Sequence, residues 1–92
     1  MKNWYLYIVR CSDGSLYTGV TTDIDRRILE HNYGMKAAKY TRSRRPVRLV
    51  YEESCKDHST ALKREYQIKR LSKEKKENLV ETYAKGGSST LK

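Results

Sequence analysis

Five polar side chains stand where this sequence should bury apolar surface: Tyr7, Tyr17, Arg27, His31 and Glu65. Three of them lie on helical stripes. At 100° per residue, Ile24, Ile28 and His31 share one side of a helix, with Arg27 at its edge one turn before His31. Ala61, Leu62, Glu65 and Ile68 follow i, i+1, i+4, i+7 spacing, which sets Glu65 in the middle of a second stripe. A carboxylate there must be paired, neutralised or bound to a metal, because burying a bare charge is costly. The three helical groups have plain structural explanations: a hydrogen-bonded core histidine, an arginine that snorkels or pairs with an acid such as Asp23, a glutamate in an ion pair with an arginine. As a set they suit a phosphodiester. Arg neutralises phosphate, Glu holds a divalent cation, and Tyr or His moves a proton. No Ser-His-Asp set, P-loop, H-E-x-x-H or zinc-ligand cluster competes with that chemistry.

The elements that must position these groups are legible in outline. Trp4 to Arg10 (WYLYIVR) and Ser15 to Val20 (SLYTGV) read as two strands around the turn signal Ser12-Asp13-Gly14, where Gly14 is free to take positive φ. Loop length decides which side chains share a face. A two-residue turn would put Tyr7 and Tyr17 on opposite sides. A three-residue loop makes cross-strand partners sum to 26, so Val9 faces Tyr17 and Tyr7 faces Gly19. Tyr5, Tyr7, Val9, Tyr17 and Gly19 then share one face, and this register is the one expected.

Thr22 to Asn32 is expected to be a helix capped by Thr22, and Asp23 and Asp25 suit its positive end. Val47 to Glu53 reads as a third strand, Asp57 to about Leu71 as a second helix, and Ser72 as the cap of a third carrying Leu79, Val80 and Tyr83. Residues 1–84 are expected to form one domain, and 85–92 a disordered tail ending in GGSSTLK. The 92-residue length allows no second domain. Cys11 and Cys55 form no disulfide framework and are expected to be reduced and structural. No stretch approaches the roughly 18 apolar residues of a membrane span, and no basic-then-apolar leader opens the chain, so a cytoplasmic protein without a membrane partner is expected.

The net charge of +9 is uneven. Residues 1–34 carry four cations and four acids, and 52–92 carry ten cations and seven acids. Residues 35–51 carry Lys36, Lys39, Arg42, Arg44, Arg45 and Arg48 with no acid, so two-thirds of the excess falls in that stretch. Basic residues interleaved with Tyr, Ser and Thr suit contacts to a phosphate backbone, which makes nucleic acid the expected partner.

With these residues in order, the sequence resembles the GIY-YIG nuclease domain family, in particular its small stand-alone bacterial branch. Tyr5-Leu6-Tyr7 matches the first motif and Tyr17-Thr18-Gly19 the second. Arg27 and His31 follow in DRRILEHN, and Glu65 in ALKREYQIK. Tyr5 stands in place of the usual Gly and Thr18 in place of the usual Ile. The resemblance spans nearly the whole chain. It implies an α+β fold, a three-stranded antiparallel sheet flanked by helices, and metal-dependent endonucleolytic hydrolysis of phosphodiesters, structure-selective and in DNA repair or recombination. It further implies that Glu65 ligates one Mg²⁺ or Mn²⁺ and Arg27 steadies the scissile phosphate. Tyr7 would help activate water with His31 near enough to relay its proton, Tyr17 would orient phosphate or water, and Gly19 would permit close backbone approach. Which tyrosine is the base stays open. DNA is expected ahead of RNA. The chain shows no second DNA-binding domain, so specificity could come from a protein partner. A non-catalytic nucleic-acid-binding module, or a subunit active only in a complex, are the alternatives.

Overall fold

The computed structural model describes residues 3–86. Three strands, β1 (Trp4–Arg10), β2 (Leu16–Thr21) and β3 (Arg48–Cys55), form one antiparallel sheet in the order β2-β1-β3. Helix α1 (Ile24–Tyr33) and the short α2 (Lys39–Arg42) lie between β2 and β3, and α3 (His58–Lys69) and α4 (Lys73–Ala84) follow. The α+β architecture expected from the sequence is the one observed.

The central strand explains both layers. β1 is buried on both faces, which is why its sequence is an almost unbroken apolar and aromatic run. Leu6 and Ile8 face one layer with Cys55, Ala61 and Ile68, joined by Val20, Leu71 and Leu79. Tyr7 and Val9 face the other with Cys11 and Val47, joined by Tyr17, Ile24, Ile28 and Leu49. Both cysteines are buried and free.

The hairpin has the expected register: Tyr7 pairs with Gly19 and Val9 with Tyr17. The Cys11 amide donates to the Ser15 carbonyl at 2.8 Å and closes a loop of Ser12, Asp13 and Gly14, with Gly14 at φ 87. Asp13 stiffens that loop by accepting from the Ser15 amide at 3.0 Å and hydroxyl at 2.6 Å.

The helix ends shift by a residue or two from expectation. Asp23, not Thr22, caps α1, its carboxylate accepting from the Arg26 amide at 3.0 Å. The Thr21 hydroxyl accepts from the Asp23 amide at 3.1 Å and so presents that carboxylate to the helix. α1 runs through Asn32 to Tyr33. Asp57 caps α3 and Ser72 caps α4. Leu62 is off the buried stripe and 43% exposed, so the stripe is Ala61, Glu65 and Ile68 alone. β3 runs two residues past Glu53 to Cys55. Most of the expected tail, 87–92, lies outside the described residues.

The basic stretch is not an extended strip. It contains α2, and several of its arginines are spent on the chain itself. Arg42 donates to the Met35 carbonyl at 3.0 Å, Arg44 to Asp13 at 3.0 Å and the Tyr40 carbonyl at 2.8 Å, and Arg45 to the carbonyls of His31 (2.6 Å) and Gly34. Asn32 exchanges two hydrogen bonds with the Val47 backbone at 3.0 and 2.7 Å. Together these bonds strap residues 35–47 over the end of α1.

Candidate active site

The β1–β2 face brings Tyr7, Tyr17 and Gly19 together, and α1 supplies Arg27 and His31 across from them. The Tyr7 hydroxyl lies 2.7 Å from His31 Nε2. The Tyr17 ring meets the same imidazole in an edge-to-face arrangement, at 5.5 Å between centroids and 70° between planes. Gly19 is required by contact, since a Cβ there would stand 2.6 Å from the Tyr7 hydroxyl oxygen and 2.8 Å from its Cζ. The expected close approach is therefore that of the Tyr7 ring over the neighbouring strand.

Tyr7 and His31 are both buried, and burial sets their protonation. It pushes the Tyr7 phenol up to about 12; Arg27 works against the shift, while Tyr17 and Glu65 add to it. It pushes His31 down from 6.5 to about 4, with Arg27 and Arg45 adding and Glu30 opposing. At neutral pH the pair is a phenol beside a neutral imidazole.

That shift makes a stability prediction. Between pH 6.5 and 4 the unfolded chain binds a proton that folded His31 refuses. Stability is complete above 6.5 and falls as pH drops through the window, by about 3 kcal/mol in all and about 2 kcal/mol by pH 5. Urea melts near pH 7 and pH 5 should show this fall. It should shrink in His31→Asn, and an unchanged wild-type midpoint would contradict it.

Arg27 is held by Glu30 at 2.9 Å and by the Lys36 carbonyl at 2.9 Å. The expected acid partner is thus Glu30; the Asp23 carboxylate is occupied as the cap of α1. The same guanidinium acts electrostatically on Tyr7, so the expected inward placement of Arg27 and His31 is found.

Glu65 reaches the site from α3, which packs on β1 and β2. Its carboxylate is mostly covered and pairs with Lys69 at 3.2 Å, not with an arginine. The Lys69 ammonium also lies 5.8 Å from the centre of the Tyr17 ring, which places Glu65 on the Tyr17 side. Among the described residues no three His, Cys, Asp or Glu side chains converge. A closed protein cage for zinc or calcium is therefore not built here. A single mostly covered carboxylate, Glu65, does fit Mg²⁺ or Mn²⁺, since Mg²⁺ keeps several waters and takes few protein ligands alongside substrate phosphates.

Of the six basic residues expected to contact nucleic acid, Lys36, Lys39 and Arg48 are exposed and make no side-chain hydrogen bond or ion pair among the described residues. Arg42, Arg44 and Arg45 hold the segment together. The stretch also contains two residues that composition did not single out. Thr41 is fully buried, and its hydroxyl is 2.8 Å from His31 Nδ1 rather than facing a phosphate. Tyr40 stacks on Tyr17 at 5.9 Å and 19°, and the Arg44 guanidinium carbon lies 3.9 Å from the centre of the Tyr40 ring. The only hint in the sequence was a Tyr-Thr pair inside a basic run. A cleft of about 680 Å³ opens between β3 and α4, lined by Tyr51, Glu53, Arg64, Asn78 and Tyr83 among others. It holds none of the five site residues, and the chemistry argues for the β1–β2 face instead.

Known proteins are similar to this chain over most of its length. The family described as the GIY-YIG catalytic domain matches residues 3–78. The UPF0213 protein of Desulfotalea psychrophila is 60% identical over 86 residues, covering 94% of this chain and 78% of that protein. That of Staphylococcus saprophyticus is 56% identical over 80 residues, covering 87% and 96%. The solution structure of the UPF0213 protein of Bacillus halodurans has a TM-score of 0.56 at 52% identity, covering 86% of this chain and 83% of that one. A solution structure from E. faecalis has a TM-score of 0.59 at 37% identity, covering 91% and 90%. No helix among the described residues is long and apolar enough to cross a membrane. With the family's matched region spanning the hairpin, Arg27, His31 and Glu65, the chain belongs to the GIY-YIG catalytic domain family.

Proposed function

We propose that this chain is a divalent-metal-dependent endonuclease that hydrolyses nucleic-acid phosphodiesters, DNA ahead of RNA. The observation that carries this reading is the Tyr7 hydroxyl 2.7 Å from a neutral, buried His31, beside Arg27. Tyr7 takes a proton from the attacking water as it passes its own to His31 Nε2. The water oxygen bonds to phosphorus, and the phosphorus–oxygen bond to the leaving sugar breaks. Arg27 faces the charge that grows on the phosphate. Tyr17 orients the phosphate or the water. Glu65 would hold one Mg²⁺ or Mn²⁺ in place of its pairing with Lys69, and that ion would supply charge stabilisation at the leaving oxygen, which takes its proton from solvent.

The hydrogen bond to His31 favours Tyr7 over Tyr17 as the proton-handling residue. Lys36, Lys39 and Arg48 supply backbone contacts. So small a footprint favours recognition of nucleic-acid shape over base sequence, in repair or recombination, with a protein partner adding selectivity.

The test is cleavage of labelled branched, flapped and single-stranded DNA, and of RNA, with Mg²⁺ or Mn²⁺. Wild type should cut at least one substrate and stop in EDTA. Glu65→Ala and Arg27→Ala should each lose about 10²-fold or more. Cleavage retained by both variants would mark a contaminant and overturn the reading. Binding without cleavage by any form would favour a non-catalytic module.

A further inference from the structure

We propose that Thr41 is a positioning residue that holds His31 in the tautomer protonated on Nδ1, keeping the Nε2 lone pair aimed at the Tyr7 hydroxyl. The inference deepens the nuclease reading, because it rests on Tyr7 and His31 as the proton-handling pair.

The geometry points to one direction for the hydrogen-bond chain. The Thr41 hydroxyl lies 3.1 Å from the Ala38 carbonyl, which can only accept and which also takes the Thr41 and Arg42 amides; in the proposed order Thr41 gives that carbonyl its single proton. The remaining contact, at 2.8 Å, is then one in which Thr41 oxygen accepts from His31 Nδ1–H. A neutral imidazole protonated on Nδ1 carries its lone pair on Nε2. At 2.7 Å from that nitrogen, the Tyr7 hydroxyl donates. Protons are thus ordered from Tyr7 through His31 and Thr41 to a backbone carbonyl, and every member is held. His31 and Thr41 are fully buried, so water does not offer the imidazole a competing partner.

The short helix α2 extends the effect. The residue before Thr41 is Tyr40, which stacks on Tyr17. One turn of chain therefore sets the partners of both site tyrosines: Tyr17 by stacking, Tyr7 through His31. Arg45, donating to the His31 carbonyl, ties the same segment to the backbone of α1.

The tautomer can be read directly. The chain has two histidines, His31 and His58, so His58→Gln leaves one signal to assign. In ¹⁵N-histidine-labelled protein near pH 7.5, long-range ¹H–¹⁵N correlation reports which ring nitrogen carries the proton. Wild type and Thr41→Ser should show Nδ1–H. Thr41→Val keeps the shape and removes the acceptor, so the Nε2–H form should appear. Thr41→Ala supplies the same readout if Thr41→Val does not fold. Cleavage should fall about 10²–10⁴-fold in Thr41→Val, because the wrong tautomer leaves Tyr7 no acceptor. Thr41→Ser should recover most of the rate, with nucleic-acid affinity unchanged throughout. An Nε2–H tautomer in wild type, or an Nδ1–H tautomer that survives Thr41→Val, would overturn the proposal. A wild type that cuts no substrate would overturn the nuclease reading alone, and the tautomer measurement would still decide the role of Thr41.

Discussion

Replacing Tyr7 with Phe is expected to lower the rate of phosphodiester cleavage by about 10²–10⁴-fold, the range of a lost proton transfer, while nucleic-acid affinity stays near wild type. The substitution removes one oxygen and leaves the ring, which packs with Val9, Cys11 and Val47. What disappears is the donor 2.7 Å from His31 Nε2. The phenol is pushed to about 12, so at neutral pH it carries a proton and cannot accept one until it hands its own away. A neutral His31 is the group placed to take it. The variant also leaves a buried acceptor unpaired, at a cost of about 1–3 kcal/mol, so rates should be compared well below its melting temperature. Tyr17→Phe is the matched control. Among the described residues the Tyr17 hydroxyl makes no hydrogen bond, and the ring meets His31 edge to face and Tyr40 by stacking. Its loss should be much smaller. Single-turnover cleavage and fluorescence anisotropy separate rate from binding; equal losses in the two variants would refute the assignment of the proton to Tyr7.

Much of this site was legible because it depends on periodicity. Counting the hairpin loop placed Tyr7 opposite Gly19, and one helical period placed Arg27 and His31 on the face that meets them. A carboxylate amid Ala61 and Ile68 was equally conspicuous. What could not be read were partners made by backbone carbonyls, which leave no mark in side-chain types. Arg45 looked like part of a phosphate-binding strip, yet the carbonyls of His31 and Gly34 claim its guanidinium. Thr41 looked like a hydroxyl for solvent or phosphate, and its environment is set by a helix of only four residues, too short for a periodic signal. The cap of α1 went from Thr22 to Asp23 for a similarly local reason, the Thr21 hydroxyl at the Asp23 amide.

The division of labour within the basic stretch follows from the same bonds. Charge counted along the chain treats six cations as equivalent. In the fold, Arg42, Arg44 and Arg45 build the strap that presents Thr41 and Tyr40 to the site, and Lys36, Lys39 and Arg48 are left exposed. Replacing the three arginines together would therefore disturb the site as well as the surface potential, and would not measure phosphate contacts alone.

Gly19→Ala should destabilise the fold by about 1–3 kcal/mol, the range of an overpacked core, and should lower cleavage with it. Gly19 is not in the left-handed region. Backbone freedom alone would make alanine the better strand residue by roughly 0.5–1 kcal/mol. The opposition comes from one side chain, since the new methyl would meet Tyr7 at 2.6 Å (hydroxyl oxygen), 2.8 Å (Cζ) and 3.0 Å (Cε2). A surface tyrosine would swing aside at little cost. Tyr7 is 1% exposed and its hydroxyl is bound to His31, so the ring can move only by loosening that bond or pressing into the core. Coupling tests this cause. In a Tyr7→Leu background, with no ring over residue 19, Gly19→Ala should become neutral or stabilising, although Tyr7→Leu is itself destabilising. Urea unfolding of the two single variants and the double variant measures the interaction energy. Equal destabilisation by Gly19→Ala in both backgrounds would show that the glycine serves some need other than clearance for Tyr7.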